Sequence, residues 1–504
     1  MEDWLAVRSK ASPDALALIS GEELWSFAEL NDLVNACAVR LAALVQPGQH
    51  VGVLIPNNLA FVCLIHALAR VGAVLVPLNL RLSDRELVWQ LDHGDCVLLV
   101  ADDELAERAA NLAVPGRQLL SAGDLCAASA SKHSIPKNPI QLDNPQAIVF
   151  TSGTTGEPKG AVLTFANHYW SATSSAFRLG LNKNDRWLSC LPLYHVGGLA
   201  VILRSCLYGT AVVLHERFDE QALSESLDNQ AITHLSLVPT MLKRLLDFRA
   251  DKPWPASFRH LLLGGAAAPP ELHRRCQELE IPLSVTYGLT EAASQVATML
   301  PDQTRLKPGS TGKPLLFTAV DIVDEQGHDL PAGGTGEICI TGPTVMAGYY
   351  NDVQSTKETL RNGRLHTGDI GYKDADGDLW LLQRRQDIII SGGENIYPSE
   401  VENVLLQHPD IAAVCVVGIT DAEWGQRVAA MIALRPGSSL TGSELLEFGR
   451  SYLAGYKLPR EFCFVDQLPQ TASGKIHRSR VAEQIQRHVR QVNSDRNAAD
   501  SRLG

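Results

Sequence analysis

The sequence predicts a multidomain α/β protein, and three observations lead to this prediction. The chain has 504 residues, more than a single hydrophobic core usually organises. Hydrophobic residues make up 45% of it and charged residues 20%, a mixture typical of globular proteins. Short apolar runs rich in β-branched residues alternate with helical patterns through the first two-thirds of the chain, and this alternation favours doubly wound α/β layers.

The first part of the chain shows this alternation most clearly. Apolar runs predict buried strands, and apolar residues at helical spacing predict the helices between them. The strands are expected at 51–55, 73–76, 97–100 and 147–150, and the helices at 61–70 and 84–91. The segment 131–145 is polar, contains three prolines and is interpreted as a connecting loop.

The character of the sequence changes after about residue 295. Short strands between Gly, Asp and Pro turns predict an antiparallel or barrel-like β subdomain, and a small α+β domain follows a linker. The subdomain strands are expected at 320–323, 337–341 and 379–382, and the small domain has helices at 399–407 and 442–453 and strands at 412–418 and 429–434. We therefore expect a large domain at 1–383, a linker at 384–387, a small domain at 388–492 and a disordered tail at 493–504.

Charge and composition exclude several classes of protein. The formal net charge is −12, with 44 basic and 56 acidic residues, whereas a nucleic-acid-binding protein usually has a basic excess. No apolar stretch approaches the roughly 20 residues that span a bilayer, and Glu2 and Asp3 stand where a secretory signal would have a basic residue. The ten cysteines form no C-x-x-C pair and mostly lie in apolar settings. We expect a cytoplasmic protein with neither a membrane span nor a nucleic-acid partner.

A loop rich in Gly and Thr follows the predicted strand at 147–150. Its glycines allow the backbone to approach a ligand closely, and its hydroxyl and backbone N–H groups can donate to phosphate oxygens beside a mobile lysine. The candidate phosphate-binding residues are Thr151, Ser152, Gly153, Thr154, Thr155, Gly156 and Lys159. The pattern differs from the Walker loop, and the alternative is a flexible loop that binds nothing.

This loop resembles the phosphate loop of the acyl-adenylate-forming, or AMP-binding, superfamily, which includes acyl-CoA synthetases, firefly luciferase and peptide-synthetase adenylation domains. Further motifs follow in the superfamily's order, so the resemblance covers nearly the whole chain. It implies ATP, Mg²⁺ and coenzyme A as reactants and cofactor. It also implies that 384–387 is a hinge on which the small domain at 388–492 rotates between two half-reactions.

The pentapeptide 287–291 resembles the adenine and magnesium motif. The resemblance implies that Tyr287 and Gly288 lie against adenine, that the hydroxyl of Thr290 contacts phosphate, and that Glu291 helps to hold Mg²⁺. An aromatic face suits a purine, and a carboxylate oxygen suits magnesium. A core tyrosine followed by a helix-capping Thr-Glu pair is the alternative.

Two other segments resemble nucleotide-binding motifs. Gly264 and Gly265 resemble the loop beside the adenine and the acyl pocket. The segment 366–371 resembles the ribose motif, in which Asp369 offers two acceptor oxygens to a vicinal diol, and Arg384 stands where the superfamily places an arginine on ribose or phosphate. The alternative for Asp369 is a turn residue.

The remaining catalytic candidates also rest on resemblance. Gly392 and Gly393 resemble the loop that enters for the thiol step, and Lys475 matches the catalytic lysine of adenylation. His195 matches a histidine beside the acyl pocket. A tight turn, a solvated lysine and a structural histidine are the respective alternatives. Gln386 replaces the Asp or Lys that many relatives carry in the hinge.

Within the superfamily, the segments around the acyl pocket most resemble the o-succinylbenzoate–CoA ligase family of menaquinone and phylloquinone synthesis. These segments are 164–168, 185–187, 203–205, 214–216 and 290–296. An acid with two carboxylates needs donors for the unreacted one. Arg204, Ser294 and Gln295 are the candidates, with a surface salt bridge as the alternative for Arg204. Another aryl- or medium-chain acyl-CoA ligase, an adenylation enzyme that loads a carrier protein, and a homo-oligomeric assembly stay open.

Overall fold

The computed structural model describes residues 3–112, 114, 116–126, 139–151, 158–266, 268–383, 388–469 and 476–500, the last ten of these and residues 383 and 399 by their backbone alone. Within these limits the chain forms two compact units. The first contains residues 3–80, 88–150 and 159–383, and the second contains 81–87, 151, 158 and 388–500. None of the described helices combines the length and the apolar character that are needed to cross a membrane.

The helices, numbered in chain order, are α1 (Trp4–Ala11), α2 (Phe27–Ala42), α3 (Leu59–Val71), α4 (Asp84–His93), α5 (Ala106–Asn111), α6 (Ala122–Cys126), α7 (Phe165–Leu179), α8 (Val196–Tyr208), α9 (Glu220–Asn229), α10 (Pro239–Arg249), α11 (Pro270–Glu278), α12 (Pro301–Leu306), α13 (Val353–Thr359), α14 (Pro398–Leu405), α15 (Gly442–Arg450) and α16 (Arg478–Asp500).

The strands are β1 (Leu16–Ser20), β2 (Glu23–Ser26), β3 (His50–Leu54), β4 (Val74–Pro77), β5 (Cys96–Ala101), β6 (Gln118–Ser121), β7 (Pro145–Thr151), β8 (Lys159–Thr164), β9 (Arg186–Ser189), β10 (Ala211–Leu214), β11 (His234–Leu237), β12 (His260–Leu263), β13 (Leu283–Leu289), β14 (Ser294–Thr298), β15 (Lys313–Pro314), β16 (Ala319–Val323), β17 (Gly336–Thr341), β18 (Gly348–Tyr349), β19 (Leu360–Arg361), β20 (Arg364–Lys373), β21 (Leu379–Gln383), β22 (Ile389–Ser391), β23 (Glu394–Ile396), β24 (Ile411–Asp421), β25 (Gly425–Leu434) and β26 (Glu461–Val465).

Two mainly parallel sheets organise most of the first unit. One has the strand order β15-β14-β13-β12-β11-β9-β10-β1-β2, and the other has β18-β8-β7-β4-β3-β5-β6. Every residue of β4, β10, β11 and β12 is buried, as expected for parallel strands covered on both faces by helices. The predicted doubly wound α/β layers are therefore confirmed.

Capping residues determine where several helices of these layers begin. The hydroxyl of Ser26 accepts from the backbone of Glu29, whose carboxylate accepts in return from the Ser26 backbone. Thr164 and Asn167 form the same reciprocal arrangement at the start of α7. Each pair satisfies backbone donors that the first helical turn leaves without partners.

The β subdomain is an antiparallel sheet with the order β16-β17-β20-β19, and β21 also pairs with β20. The predicted strands at 320–323, 337–341 and 379–382 correspond to β16, β17 and β21. Alternate residues along β20 are buried and half-buried, as expected of an antiparallel strand with one face toward the core.

The second unit contains the small α+β domain predicted after the linker. Its sheet has the order β23-β22-β25-β24, with β26 parallel to β25. Residues alternate along β24, so Val414 and Val416 pack with α14 and α15, whereas Cys415 and Val417 pack with α16. A buried ion cluster lies within this unit, where Nζ of Lys457 is 2.7 Å from Oε1 of Glu400.

The end of the chain differs from the prediction. We expected a disordered tail from 493, but the backbone of α16 stays helical to Asp500. No Gly or Pro interrupts the sequence from Arg478 to Asp500, and its alanine, glutamine and arginine residues favour helix. Residues 501–504 and the predicted hinge at 384–387 lie outside the described residues.

Candidate active site

The candidate site is described for most of its predicted residues. Outside the described residues lie Ser152, Gly153, Thr154, Thr155, Gly156, Arg384 and Lys475, and their proposed roles remain predictions. Thr151 ends β7 and Lys159 begins β8, so the phosphate-loop candidates connect the ends of two strands.

Lys159 and Glu291 both lie beside the side chain of Tyr349. Nζ of Lys159 lies 5.4 Å from the centroid of the Tyr349 ring, and the Tyr349 hydroxyl donates to Oε1 of Glu291 over 2.8 Å. The backbone carbonyl of Glu291 accepts from the Met346 N–H. Among the described residues, none donates to the second carboxylate oxygen of Glu291. A carboxylate fixed through one oxygen in this way is suited to a Mg²⁺ ion, which prefers hard oxygen ligands.

Tyr287 and Asp369 are joined directly. The phenolic hydroxyl of Tyr287 donates to Oδ2 of Asp369 over 2.7 Å, and both side chains are buried. The Tyr287 ring is only 1% exposed in this structure, so stacking on adenine would require its face to be uncovered. The hydrogen bond orients the Asp369 carboxylate, as expected for a group that selects a ligand by its hydroxyls.

A tight contact between β13 and β14 shapes the neighbouring part of the site. The two strands shift register after Tyr287, and Gly288 pairs with Gln295. A Cβ atom at Gly288 would lie 1.8 Å from the carbonyl oxygen of Ser294, so no larger residue fits there. Thr290 begins a single helical turn that ends at Ala292. Gly288 therefore allows β14 to return closely past the predicted nucleotide motif.

Gly264 and Gly265 follow β12 directly. A Cβ at Gly264 would lie 2.7 Å from Cγ2 of Thr286, on the neighbouring strand β13. Gly265 has a φ of +81° and is exposed. Because neither glycine has a side chain, the chain can leave the end of β12 close to β13. At this level β13 reaches the predicted nucleotide motif, which begins at Tyr287.

His195 lies at the start of α8 and is positioned by an asparagine far away in the sequence. Asn57 donates to the carbonyl of Leu191 and accepts from the N–H of Leu193, over 2.9 Å each. The His195 ring contacts Tyr194 edge-on, with 4.7 Å between their centroids. The role of Asn57 could not be inferred from the sequence, because its hydrogen bonds connect segments that follow two different strands.

Arg204 is the most unusual side chain of the predicted acyl pocket. It is only 2% exposed, and within the described part of the chain its guanidinium makes one hydrogen bond, from Nη2 to the hydroxyl of Ser171 over 3.1 Å. Its Nε has no partner there. Burial lowers the pKa of Arg204, because desolvation penalises the charged form. The surface salt bridge considered as an alternative is therefore wrong.

Buried polar groups of α7 and β14 belong to the same predicted pocket. The hydroxyl of Ser171 donates to the carbonyl of Ala293, which connects Arg204 to the residue before Ser294. Oε1 of Gln295 and Nε2 of His168 are buried and have no hydrogen-bond partner among the described residues. Burial, and then the charge of Arg204, lower the pKa of His168 to about 3, so it is neutral. A buried cation with an unused donor is suited to an anionic ligand.

Gly392 and Gly393 belong to the second unit and form the two-residue turn between β22 and β23. Their φ values are +59° and +88°, which only glycine adopts at low cost at both positions of such a turn. The N–H of Gly392 donates to the carbonyl of Trp424, and a Cβ there would lie 2.7 Å from the indole ring. Trp424 therefore packs against the turn where a side chain of residue 392 would otherwise lie.

Several residues that the structure places at the site could not be identified from the sequence. Tyr349 and Asn57 organise predicted residues through side-chain hydrogen bonds over long sequence separations. His168 lies in a segment that had been singled out for its resemblance, but without a role. Tyr349 lies in the short strand β18, and its hydrogen-bond partner could not be inferred from local sequence.

Comparison with known proteins identifies the family of this chain. The chain matches the AMP-binding enzyme family over residues 5–350 and the AMP-binding enzyme C-terminal domain over 400–475. It is 40% identical to a 2-succinylbenzoate–CoA ligase of Bacillus cereus (strain Q1) over 487 residues, covering 96% of this chain and 99% of the relative.

Two solved structures of o-succinylbenzoate CoA synthetase from Bacillus subtilis are also similar, each 38% identical to this chain. A double mutant bound with its product analogue OSB-NCoA has a TM-score of 0.91 and covers 96% of this chain and 98% of its own. The complex with ATP and magnesium ion has a TM-score of 0.74 and covers 95% and 99%. With the family match over most of its length, this chain belongs to the AMP-binding enzyme family.

Proposed function

We propose that this chain is an ATP-dependent acid–thiol ligase that converts 2-succinylbenzoate to its coenzyme A thioester through an acyl-adenylate. The named activity of the relatives, at 40% identity over nearly the full length, supports the reaction. The buried guanidinium of Arg204 supports the acid, because it lacks a carboxylate partner within the described chain. Such a step would serve menaquinone or phylloquinone synthesis.

The reaction needs two group transfers. A carboxylate oxygen of the acid attacks the α-phosphorus of ATP, and the bond from that phosphorus to the pyrophosphate oxygen breaks. The thiolate of coenzyme A then attacks the acyl carbonyl carbon, and AMP leaves with the electron pair of the C–O bond. Neither step requires a nucleophile on the enzyme. The protein contributes the positioning of anions and the stabilisation of charge.

The described residues can be assigned to parts of this task. Asp369, oriented by Tyr287, would accept from ribose hydroxyls. Lys159 would donate to phosphate oxygens, and Thr290 would add a hydroxyl near them. Glu291 would hold Mg²⁺ through the oxygen that Tyr349 leaves unused, and the bound ion would neutralise charge on the phosphates.

The remaining roles divide between the two half-reactions. Lys475 is assigned to adenylation, where it would offset the repulsion between the carboxylate and the α-phosphate. Gly392 and Gly393 are assigned to the thiol step, since a turn without side chains allows an extended pantetheine arm to pass close to the backbone. His195 is assigned to the wall between the acyl group and the thiol.

The second carboxylate of 2-succinylbenzoate distinguishes it from monocarboxylic acids. A carboxylate buried without donors would cost several kcal/mol, whereas a guanidinium can donate to it with two parallel N–H groups. Arg204 has an unused Nε donor. The hydroxyl of Ser294 would add a second donor, whereas the NH₂ group of Gln295 already donates to Thr298. An acid without the second carboxylate would leave the guanidinium buried and unpaired.

A panel of acids tests the proposal. Pyrophosphate release from ATP would be measured for 2-succinylbenzoate, benzoate and octanoate, with and without coenzyme A. We expect 2-succinylbenzoate to exceed the other acids by more than tenfold in kcat/KM, since one hydrogen bond to a charged group suffices for this ratio. Equal turnover of octanoate would reject the acid but keep the ligase reaction. Pyrophosphate release without any thioester product would reject coenzyme A as the acceptor.

The cellular setting is part of the same proposal. All ten cysteines are free thiols, and eight of them are buried, which is consistent with a reducing compartment. We therefore infer a cytoplasmic enzyme whose partners are ATP, coenzyme A and a small carboxylic acid. A homo-oligomer stays a prediction, which light scattering of the purified protein would test.

A further inference from the structure

The backbone that carries Asp369 departs from regular strand geometry. In the pairing of β17 with β20, Glu337 lies opposite Ile370 and Cys339 lies opposite His366. Three residues of β20, 367–369, therefore face the single residue Ile338, and the extra length forms a bulge. Gly368 adopts a φ of +73° at its centre. Bulges of this kind redirect the following side chain, which here is that of Asp369.

One carboxylate holds this bulge from the neighbouring strand. Oε1 of Glu337 accepts from the N–H of Gly368 over 2.9 Å, and Oε2 accepts from Nδ1 of His366 over 2.9 Å. The two carboxylate oxygens thus accept hydrogen bonds from the residues on either side of Thr367. A charged acceptor makes these hydrogen bonds stronger than neutral ones.

The interior of the bulge is hydrogen-bonded as well. The Thr367 hydroxyl donates to the carbonyl of Ile338 over 2.7 Å and accepts from the N–H of Asp369 over 3.1 Å. Beyond it, Oδ2 of Asp369 accepts from Tyr287. The Glu337 side chain is therefore connected to Asp369 through the backbone of the bulge, whose N–H groups at Gly368 and Asp369 are both hydrogen-bonded.

The same cluster is not suited to a metal ion. Ligand atoms of Glu337, Cys339 and His366 lie within 4.8 Å of one another. However, Nδ1 of His366 already forms a hydrogen bond with the Glu337 carboxylate, and the other oxygen of that carboxylate accepts from Gly368. The cluster is instead a hydrogen-bonded group that stabilises the bulge.

We infer that Glu337 is a positioning residue for nucleotide selection: by fixing the bulge at Gly368, it aims the Asp369 carboxylate at the ribose hydroxyls. Glu337 acts through Asp369 and makes no contact of its own with the Tyr287 hydroxyl. The inference rests on the proposed ribose role of Asp369. It predicts that loss of Glu337 selectively weakens recognition of the ribose hydroxyls and leaves recognition of the acid unchanged.

The test compares ATP with 3′-deoxy-ATP and 2′-deoxy-ATP as substrates for pyrophosphate release at saturating acid. The wild-type enzyme should prefer ATP by roughly tenfold or more, as one hydrogen bond to a carboxylate provides. Glu337→Ala should lower this preference at least fivefold and raise the KM for ATP, with the KM for the acid unchanged. Glu337→Gln should restore most of the preference, because its amide oxygen can accept from Gly368 and its NH₂ can donate to His366.

A matched control and a double variant separate positioning from general stability. Asp329→Ala removes an exposed ion pair with Arg364, at the start of β20, and should leave the preference unchanged. Asp369→Ala should abolish the preference, and adding Glu337→Ala to it should cause no further loss. If Glu337→Ala fails to fold, Glu337→Asp shortens the same carboxylate by one methylene and should show the same loss in milder form.

The results separate the positioning role of Glu337 from the ribose-binding role of Asp369. An unchanged preference in folded Glu337→Ala, or a further loss in the double variant, would overturn the positioning role. A wild-type preference that survives in Asp369→Ala would instead overturn the ribose role of Asp369, on which the inference depends.

Discussion

The Tyr287 hydroxyl donates to Oδ2 of Asp369 over 2.7 Å, across 82 residues of sequence. Tyr287 lies on β13 of a mainly parallel sheet, and Asp369 lies on β20 of the antiparallel subdomain. The bond therefore connects two differently built sheets of the first unit at the predicted nucleotide site. Because both partners are buried, it fixes the direction of a carboxylate that would otherwise rotate.

Removing this bond should weaken ATP binding selectively. Tyr287→Phe keeps the aromatic ring but leaves the Asp369 carboxylate without one donor, which costs about 1–2 kcal/mol. We expect a rise of roughly fivefold to thirtyfold in the KM for ATP, measured by pyrophosphate release, and little change in the KM for the acid. Tyr350→Phe is the matched control, since Tyr350 donates to Asp95 over 2.8 Å in an exposed position. Equal effects of the two substitutions would contradict a nucleotide role for the Tyr287 bond.

Arg204 should strengthen binding of the acid and lower the thermal stability of the folded protein. Arg204→Met removes a buried charge without a carboxylate partner in the described chain, so the melting temperature should rise or stay the same. The KM for 2-succinylbenzoate should rise at least tenfold, and turnover of an aromatic monoacid should not fall. Thermal melts and steady-state kinetics measure both effects. A large loss of thermal stability would indicate that the arginine is structural.

Lys475 should separate the two half-reactions. One charge pair at ~4 Å in an effective dielectric near 20 is worth up to about 4 kcal/mol, and solvation reduces it, so Lys475→Ala should slow adenylation by roughly 10²–10³. The variant, supplied with synthetic acyl-adenylate, should still form the thioester at close to the wild-type rate. Rapid-quench measurements of each half-reaction provide the comparison. If both rates fall together in a folded variant, the division of roles is wrong.

Buried neutral histidines should make stability depend on pH. Burial lowers the pKa of His168 and His234 to about 3, and that of His66 and His260 to about 4. Between these values and about 6.5 the unfolded chain binds protons that the folded chain does not. The free energy of unfolding should therefore fall as the pH decreases from about 6.5, by up to about 1.4 kcal/mol per pH unit for each histidine.

A single substitution isolates the contribution of His168. In His168→Gln, the difference in urea-unfolding free energy between pH 7 and pH 5 should be about 2 kcal/mol smaller than in the wild type, because one fewer proton is taken up on unfolding. Substitution of an exposed histidine, His328→Gln, is the control, since its ring lies at the surface. Identical differences in all three proteins would show that His168 is protonated in the folded state.

Local sequence was sufficient for much of the fold. Runs such as 51–55 and 97–100 are continuously apolar and rich in β-branched residues, and they form most of the largely buried strands β3 and β5. The family assignment, confirmed by the comparisons, rested on short motifs whose residues are adjacent in sequence. Polar composition alone did not predict the helix at 493–500, although no Gly or Pro there interrupts it.

The arrangement of the site, in contrast to the strands, could not be predicted from local sequence. The sequence by itself identified Tyr287, Glu291 and Asp369 as chemistry-bearing residues, since each stands in a recognisable segment. Only the tertiary structure decided that Tyr287 donates to Asp369, and that Glu337 holds the bulge beneath it. These contacts depend on which strands pair and in what register, and a shift of one residue would turn each side chain to the opposite face. Long-range register is a property of the packed sheets, so no local pattern could reveal it.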